Sequence, residues 1–151
     1  MSTLVVTDTT CLIALDRVGE LMLLPRLFSV SAPPAVAAEF GRTPEWLRVC
    51  DVPDAAHVRH LRRVLDLGEA EAIVLALSLP GANLLIDEAR GRAVAQSLGL
   101  RVVGTAGVLL EAKRQGLLGA VRPVLDALRE HHAFRLSTPL YDWIIREAGE
   151  G

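Results

Sequence analysis

The chain predicts an α/β fold, a mainly parallel sheet with helices crossing over between its strands. Short apolar runs alternate with segments of helical period for most of the 151 residues. Two of those runs, Leu4-Val5-Val6-Thr7-Asp8 and Leu84-Leu85-Ile86-Asp87, each end in an aspartate. The carboxyl ends of buried strands are where open α/β sheets place their ligand crevices.

Leu4 to Asp8 is the first expected strand, followed by two short helices, Leu12 to Val18 and Glu20 to Leu27, separated at Gly19. Phe28 to Ala32 reads as a second strand. Pro33-Pro34 favours a helix start, because the fixed φ of proline suits a first turn, and the helix is expected over Ala35 to Phe40. Val49 to Val52 reads as a short extended segment at a sheet edge, limited by Pro53. From His57 to Leu67 the spacing is helical, with Val58, Leu61, Val64 and Leu65 on one side and arginines on the other. Gly68 is expected to break that helix.

Glu69 to Leu79 is apolar on nearly every face, which predicts a helix buried by its neighbours. Leu84 to Asp87 is a central-type strand, and Glu88 to Leu98 a helix closed by Gly99 at its C′ position. Leu100 to Val103 follows as a strand, Gly104-Thr105 as a turn, and Val108 to Gln115 as a helix. A further helix is expected over Leu118 to His131 and a last strand over Phe134 to Ser137. Ser137 or Thr138 is placed to cap a final helix with Pro139 in its first turn.

A hydrophobic fraction of 51% with 23% charged residues is that of a globular protein, which excludes a disordered chain. The length suits one domain over residues 1–151 with a substantial core. A net charge of −2 excludes a histone-like polybasic binder. It leaves a nucleic-acid enzyme open, because charge can be spread unevenly. A local basic rim can be drawn from Arg17, Arg42, Arg59, Arg62, Arg63, Arg90, Arg92, Arg101, Lys113 and Arg114.

Cys11 and Cys50 sit among apolar residues and read as reduced core thiols. Neither forms a zinc-type spacing with His57, His60, His131 or His132, and these histidines read as solvated. The start of the chain lacks a signal-peptide pattern, and no apolar run approaches the ~20 residues that span a bilayer. A soluble, cytoplasmic protein without membrane contact is expected.

The acids carry the chemistry. Ionised carboxylates are costly to bury alone, so several in apolar surroundings suggest a shared cation. A hard divalent ion such as Mg²⁺ prefers oxygen ligands of this kind. Asp8, before Thr9-Thr10, reads equally as a metal ligand and as a helix N-cap. Glu39 follows Ala35-Val36-Ala37-Ala38 near a helix end, where an exposed helix position competes. Glu69 and Glu71 open an apolar helix, where acids also complement the helix dipole. At about 100° per residue these two point to different faces, so at most one meets a given ion, and periodicity does not choose. Asp87 precedes Glu88-Ala89-Arg90, and its central-strand context favours function over capping. Arg90 and Arg92 suit either phosphate anchoring or pairing with carboxylates.

In order and spacing these motifs resemble the PIN domain, the fold of VapC-like metal-dependent ribonucleases. The resemblance spans nearly the whole chain. Val6-Thr7-Asp8-Thr9-Thr10 matches the family's first motif, Asp, any residue, then Ser, Thr or Asn. Pro34-Ala35-Val36-Ala37-Ala38-Glu39-Phe40 matches the second acid, and Leu84-Leu85-Ile86-Asp87-Glu88-Ala89-Arg90-Gly91-Arg92 the fourth. The third falls in Leu67-Gly68-Glu69-Ala70-Glu71-Ala72-Ile73, where Glu71 is the preferred match, Glu69 its competitor, and Asp the family's more frequent choice. Gly99 to Leu110 with Ala112-Lys113 is similar to a largely uncharacterised prokaryotic PIN subgroup.

That resemblance implies a three-layer α/β/α fold and a Mg²⁺- or Mn²⁺-dependent endoribonuclease. It further implies an RNA substrate, homodimerisation, and service as the toxin of a type II pair with a small antitoxin. Asp8, Glu39, Glu71 and Asp87 would be the catalytic, metal-holding acids, supported by Thr10, Glu69, Glu88 and Arg90. The alternative is a PIN-fold module that binds nucleic acid or protein without turnover. A phosphatase with Asp8 as nucleophile ranks lower, since Thr10 stands where a second acid is wanted. A dinucleotide enzyme ranks lower still, since no glycine-rich turn follows a strand in the required pattern.

Overall fold

The structure, a computed structural model, describes residues 3–131 and 134–151. Five strands form one wholly parallel sheet in the order β3-β2-β1-β4-β5: β1 (Thr3–Thr7), β2 (Phe28–Ala32), β3 (Leu47–Val49), β4 (Asn83–Leu85) and β5 (Val102–Val103). β1 pairs with β2 through Val5 opposite Val30 and with β4 through Val6 opposite Leu84. The chain winds outward from β1 to β3, then returns to the other side of β1 for β4 and β5. The direction therefore reverses between β1 and β4, and that switch point is where such sheets open a crevice.

Both faces of the sheet are covered, which gives the three layers. Val5, Val30 and Leu85 point into one apolar core with α1 (Thr9–Arg17), α2 (Leu23–Leu27), α3 (Pro34–Phe40), α7 (Thr105–Arg114), α8 (Arg122–Arg129) and α9 (Thr138–Glu147). Val6, Leu84 and Ile86 point into the other, with α4 (Ala55–Leu61), α5 (Leu67–Ser78) and α6 (Ala89–Ser97). Neighbouring residues of β1 and of β4 thus face opposite cores, as a doubly covered parallel sheet requires. α5 is buried along most of its length, from Ala70 to Ala76, as its uniform hydrophobicity predicts.

Several expected boundaries move, each for a local reason. α1 begins at Thr9 rather than Leu12, because Asp8 caps it. α2 keeps only the last turn of the segment from Glu20. β3 lies two residues before the expected Val49–Val52, still at the sheet edge. α4 closes at Leu61, and the chain turns through Arg62 to Leu65 before a new cap at Asp66. Gly68 breaks nothing; it sits in the first turn of α5.

α8 starts at Arg122 with Pro123 in its first turn, so the helix expected from Leu118 loses its beginning. Phe134 to Ser137 forms no strand. Its backbone is used locally, the Phe134 amide donating to the His131 carbonyl and the Ser137 carbonyl accepting the Tyr141 amide, while the Ser137 hydroxyl accepts the Leu140 amide and the Phe134 ring packs into the core. His132 lies outside the described residues. Among those described, no helix is long and apolar enough to cross a membrane.

Candidate active site

Asp8 and Asp87 leave the carboxyl ends of the two strands that flank the switch point. The Asp8 amide donates to the Leu85 carbonyl at 2.9 Å, which fixes the end of β1 against β4. Its carboxylate oxygen Oδ1 accepts the Cys11 amide at 2.9 Å and so caps α1. Capping therefore occupies one oxygen and orients the other. The side chain is almost wholly buried, 3% exposed. Burial, with the negative charge of Asp87 nearby, pushes its pKa up from 3.8 to about 8. The same burial, Asp87 and Asp8 push the Cys11 thiol up, so that cysteine is an unreactive core thiol.

Asp87 is held from the far side by β5 and α7. Thr105 donates its amide to Oδ1 at 2.8 Å and its hydroxyl to Oδ2 at 2.6 Å. The approach is close enough that a Cβ on Gly104 would lie 2.9 Å from Asp87 Oδ1 and 2.8 Å from Arg92 Nη1. Arg92 donates to the Ile86 carbonyl at 3.2 Å, a structural bond rather than a free anchor. Thr105 has no signature in the sequence near Asp87; only the β4–β5 pairing brings it there.

The two acids left open for the third position separate cleanly. Glu69 stands in a capping box: its amide donates to Asp66 Oδ1 at 2.8 Å, and its Oε1 accepts the Asp66 amide at 3.4 Å. Its other oxygen, Oε2, is buried without a hydrogen-bond partner among the described residues. Burial, followed by the charge of Asp66, raises the Glu69 pKa from 4.5 to about 7. Glu71 faces elsewhere. Its Oε1 accepts the Ala35 amide at 2.9 Å and so closes the start of α3. Glu71, the preferred match, is thus placed two residues along α5 from Glu69 with one carboxylate oxygen on a neighbouring helix end.

Gly91 makes room for Glu69. A Cβ there would lie 2.6 Å from Ile86 Cδ1 and 2.8 Å from Glu69 Oε2. Gly91→Ala is therefore expected to destabilise the fold by roughly 1–3 kcal/mol, since Ile86 is fully buried and cannot yield. Urea denaturation checks this; a midpoint equal to that of the original protein would show that Ile86 and Glu69 move aside freely.

A cleft of about 70 Å³ opens where these elements meet. Asp8, Glu69 and Asp66 line it, joined by Glu39 from α3, Glu88 from the start of α6, and Thr9 and Thr10 from α1. Four expected residues thus share the cleft with Asp8 (Glu39, Glu69, Glu88 and Thr10), and Asp87 acts on Asp8 from beside it. Arg90 lies outside, exposed, donating to the Val64 carbonyl at 3.4 Å. Asp66 was not singled out from the sequence, although the Asp66-Leu67-Gly68-Glu69 pattern is a capping-box signal that would have found it.

The donor set fits a hard divalent cation. The cleft offers carboxylate and hydroxyl oxygens, a Glu69 oxygen buried without a partner among the described residues, and an aspartate whose ionised form is disfavoured by burial and by the charge of Asp87. Among the described residues, no three Asp, Glu, His or Cys side chains stand close enough to enclose an ion by themselves.

One family model covers almost the whole chain: residues 4–150 match DUF3368, described as a PIN domain. Neither a curated relative nor a solved structure matches the chain.

Proposed function

Because the chain belongs to the PIN domain family, a family of nucleases in general, we propose that it is a Mg²⁺- or Mn²⁺-dependent endoribonuclease. The observation that carries this reading is the acidic cleft at the switch point, with a buried Asp8 and an unpartnered Glu69 oxygen facing uncompensated charge. Asp8, Glu69, Asp87 and Glu39 would hold the cation, directly or through water, with Glu88 and Thr10 at the rim. When bound, the ion supplies an activated water and neutralises charge on the scissile phosphate.

The chain's own residues do the positioning. Thr105 fixes both oxygens of Asp87, the Cys11 amide fixes one oxygen of Asp8, and the Asp66 box aims Glu69. Asp8 and Glu69 are thus oriented within the cleft and Asp87 is fixed beside it, which is the condition for preorganised electrostatic catalysis. Without a cation at neutral pH, Asp8 keeps its proton, with its pKa at about 8. A cation held in the cleft would favour the ionised form of Asp8.

We further assign the protein, on the resemblance alone, to the toxin side of a type II pair, as a homodimer restrained by a small antitoxin. The first experiment is incubation of the purified protein with structured and single-stranded RNAs in Mn²⁺, Mg²⁺ or EDTA. Cleavage with either metal and none in EDTA is expected. Equal cleavage in EDTA would sink the metal-dependent reading, and binding without cleavage under every metal would favour a silent binding module.

A further inference from the structure

An acidic cleft repels a polyanion, so the strand must be brought to it by positive charge elsewhere on the surface. Several of the basic side chains are committed among the described residues. Arg42 pairs with Asp16 at 2.6 Å, Lys113 with Glu150 at 2.8 Å, Arg114 with Glu111, and Arg92 with the Ile86 carbonyl. One group differs. From Ala55 to Leu65 the chain carries Arg59, Arg62 and Arg63 with two histidines and no acid. Val58 and Leu61 bury one side of α4, which turns the three arginines outward, and all three are exposed without an ion pair among the described residues.

This group adjoins the cleft on two sides. Asp66 lies three residues beyond Arg63 and lines the cleft. Glu88 lines it from α6, and Arg90, two residues on, reaches the Val64 carbonyl at 3.4 Å. The guanidinium of Arg90 therefore joins the two segments on the outside of the cleft. Val64 and Leu67, 49% and 38% exposed, lie among these charges. Arginines around exposed apolar side chains suit an unstacked strand, whose phosphates take the charge and whose bases take the apolar and guanidinium faces.

We propose that Arg59, Arg62, Arg63 and Arg90 form the phosphate track by which a single RNA strand enters the cleft, with Val64 and Leu67 beneath its bases. This rests on the nuclease reading only for what happens at the end of the track; binding itself requires no turnover. Four guanidinium groups in a chain of net charge −2 mark a local surface rather than a general affinity for polyanions.

The test is the anisotropy of an unstructured, labelled single-stranded RNA, and of a duplex of the same sequence, titrated over a range of NaCl in EDTA. Arg62→Gln with Arg63→Gln is expected to weaken single-strand binding about tenfold and to flatten the log–log salt slope by about 1.4, two phosphate contacts' worth. Val64→Ser is expected to weaken binding without altering that slope. Arg101→Gln, before the far end of β5, is expected to change neither. Because all these side chains are exposed or half-buried, unchanged melting confirms folded variants.

An unchanged slope and affinity in the double variant overturns the track, as does a duplex bound as tightly as the single strand. Binding of poly-glutamate with none of RNA also overturns it, and gives the surface to an acidic protein. Arginine-dependent binding with no cleavage under any metal keeps the track and removes the nuclease. Metal-dependent cleavage with a KM untouched by the double variant does the reverse.

Discussion

Asp8→Asn is expected to abolish metal-dependent cleavage and, in the absence of metal, to make the protein more stable. Both effects come from one buried carboxylate. Its pKa is 3.8 as the ordinary value and about 8 in the fold. Below pH 3.8 the folded and unfolded chains both hold the proton, and Asp8 brings no penalty. As pH rises toward 8 the unfolded chain ionises freely while the native one resists, so stability falls steadily over that window.

By pH 8 the loss is on the order of 5 kcal/mol, the whole of which asparagine avoids. For a chain of this size that corresponds to a melting temperature higher by roughly 10 °C or more. The gap between variant and original should close toward pH 4, and should narrow at pH 8 when Mg²⁺ or Mn²⁺ is added, because the cation favours the ionised native form. Cleavage should fall by about a thousandfold. Thermal melts across pH, with and without metal, read the first effect. A variant less stable than the original at pH 8 would show that Asp8 is compensated in a way its surroundings do not reveal.

Glu69→Gln and Glu71→Gln are expected to part company. The first removes the unpartnered oxygen in the cleft and should lower cleavage about a hundredfold or more, along with the metal-induced rise in melting temperature. The second weakens only the bond to the Ala35 amide at the start of α3, at a cost of about 1 kcal/mol, and should leave cleavage unchanged. Initial rates at saturating metal distinguish them. Loss of activity in Glu71→Gln alone, with its fold intact, would move the third acid to position 71.

The contrast between these two glutamates shows what a sequence displays and what it conceals. Strand ends, helix order and the parallel sheet followed from apolar periodicity, and Asp8 and Asp87 from their places at strand ends. Both features are local. The different placements of Glu69 and Glu71 depend on what packs against α5, an amide of α3 for Glu71 and the gap left by Gly91 of α6 for Glu69. No repeat within α5 encodes those partners. Thr105 is hidden for the same reason, since its two bonds to Asp87 arise from strand pairing and not from adjacency. The strand expected at Phe134 to Ser137 failed for a complementary cause: its composition suits a strand, but its polar groups are taken by neighbouring turns.

The reversal of winding between β1 and β4 also governs when the site comes into being. Asp8 is among the first residues of the chain, whereas the strand that must dock beside it ends just before Asp87. Closing so long a loop is among the slower events in folding, because chain entropy is lost before the contacts that repay it exist. Until then the carboxylates are far apart and do not repel one another. Their mutual repulsion is met only as β4 docks beside β1, so a chain still emerging from the ribosome carries no complete cleft.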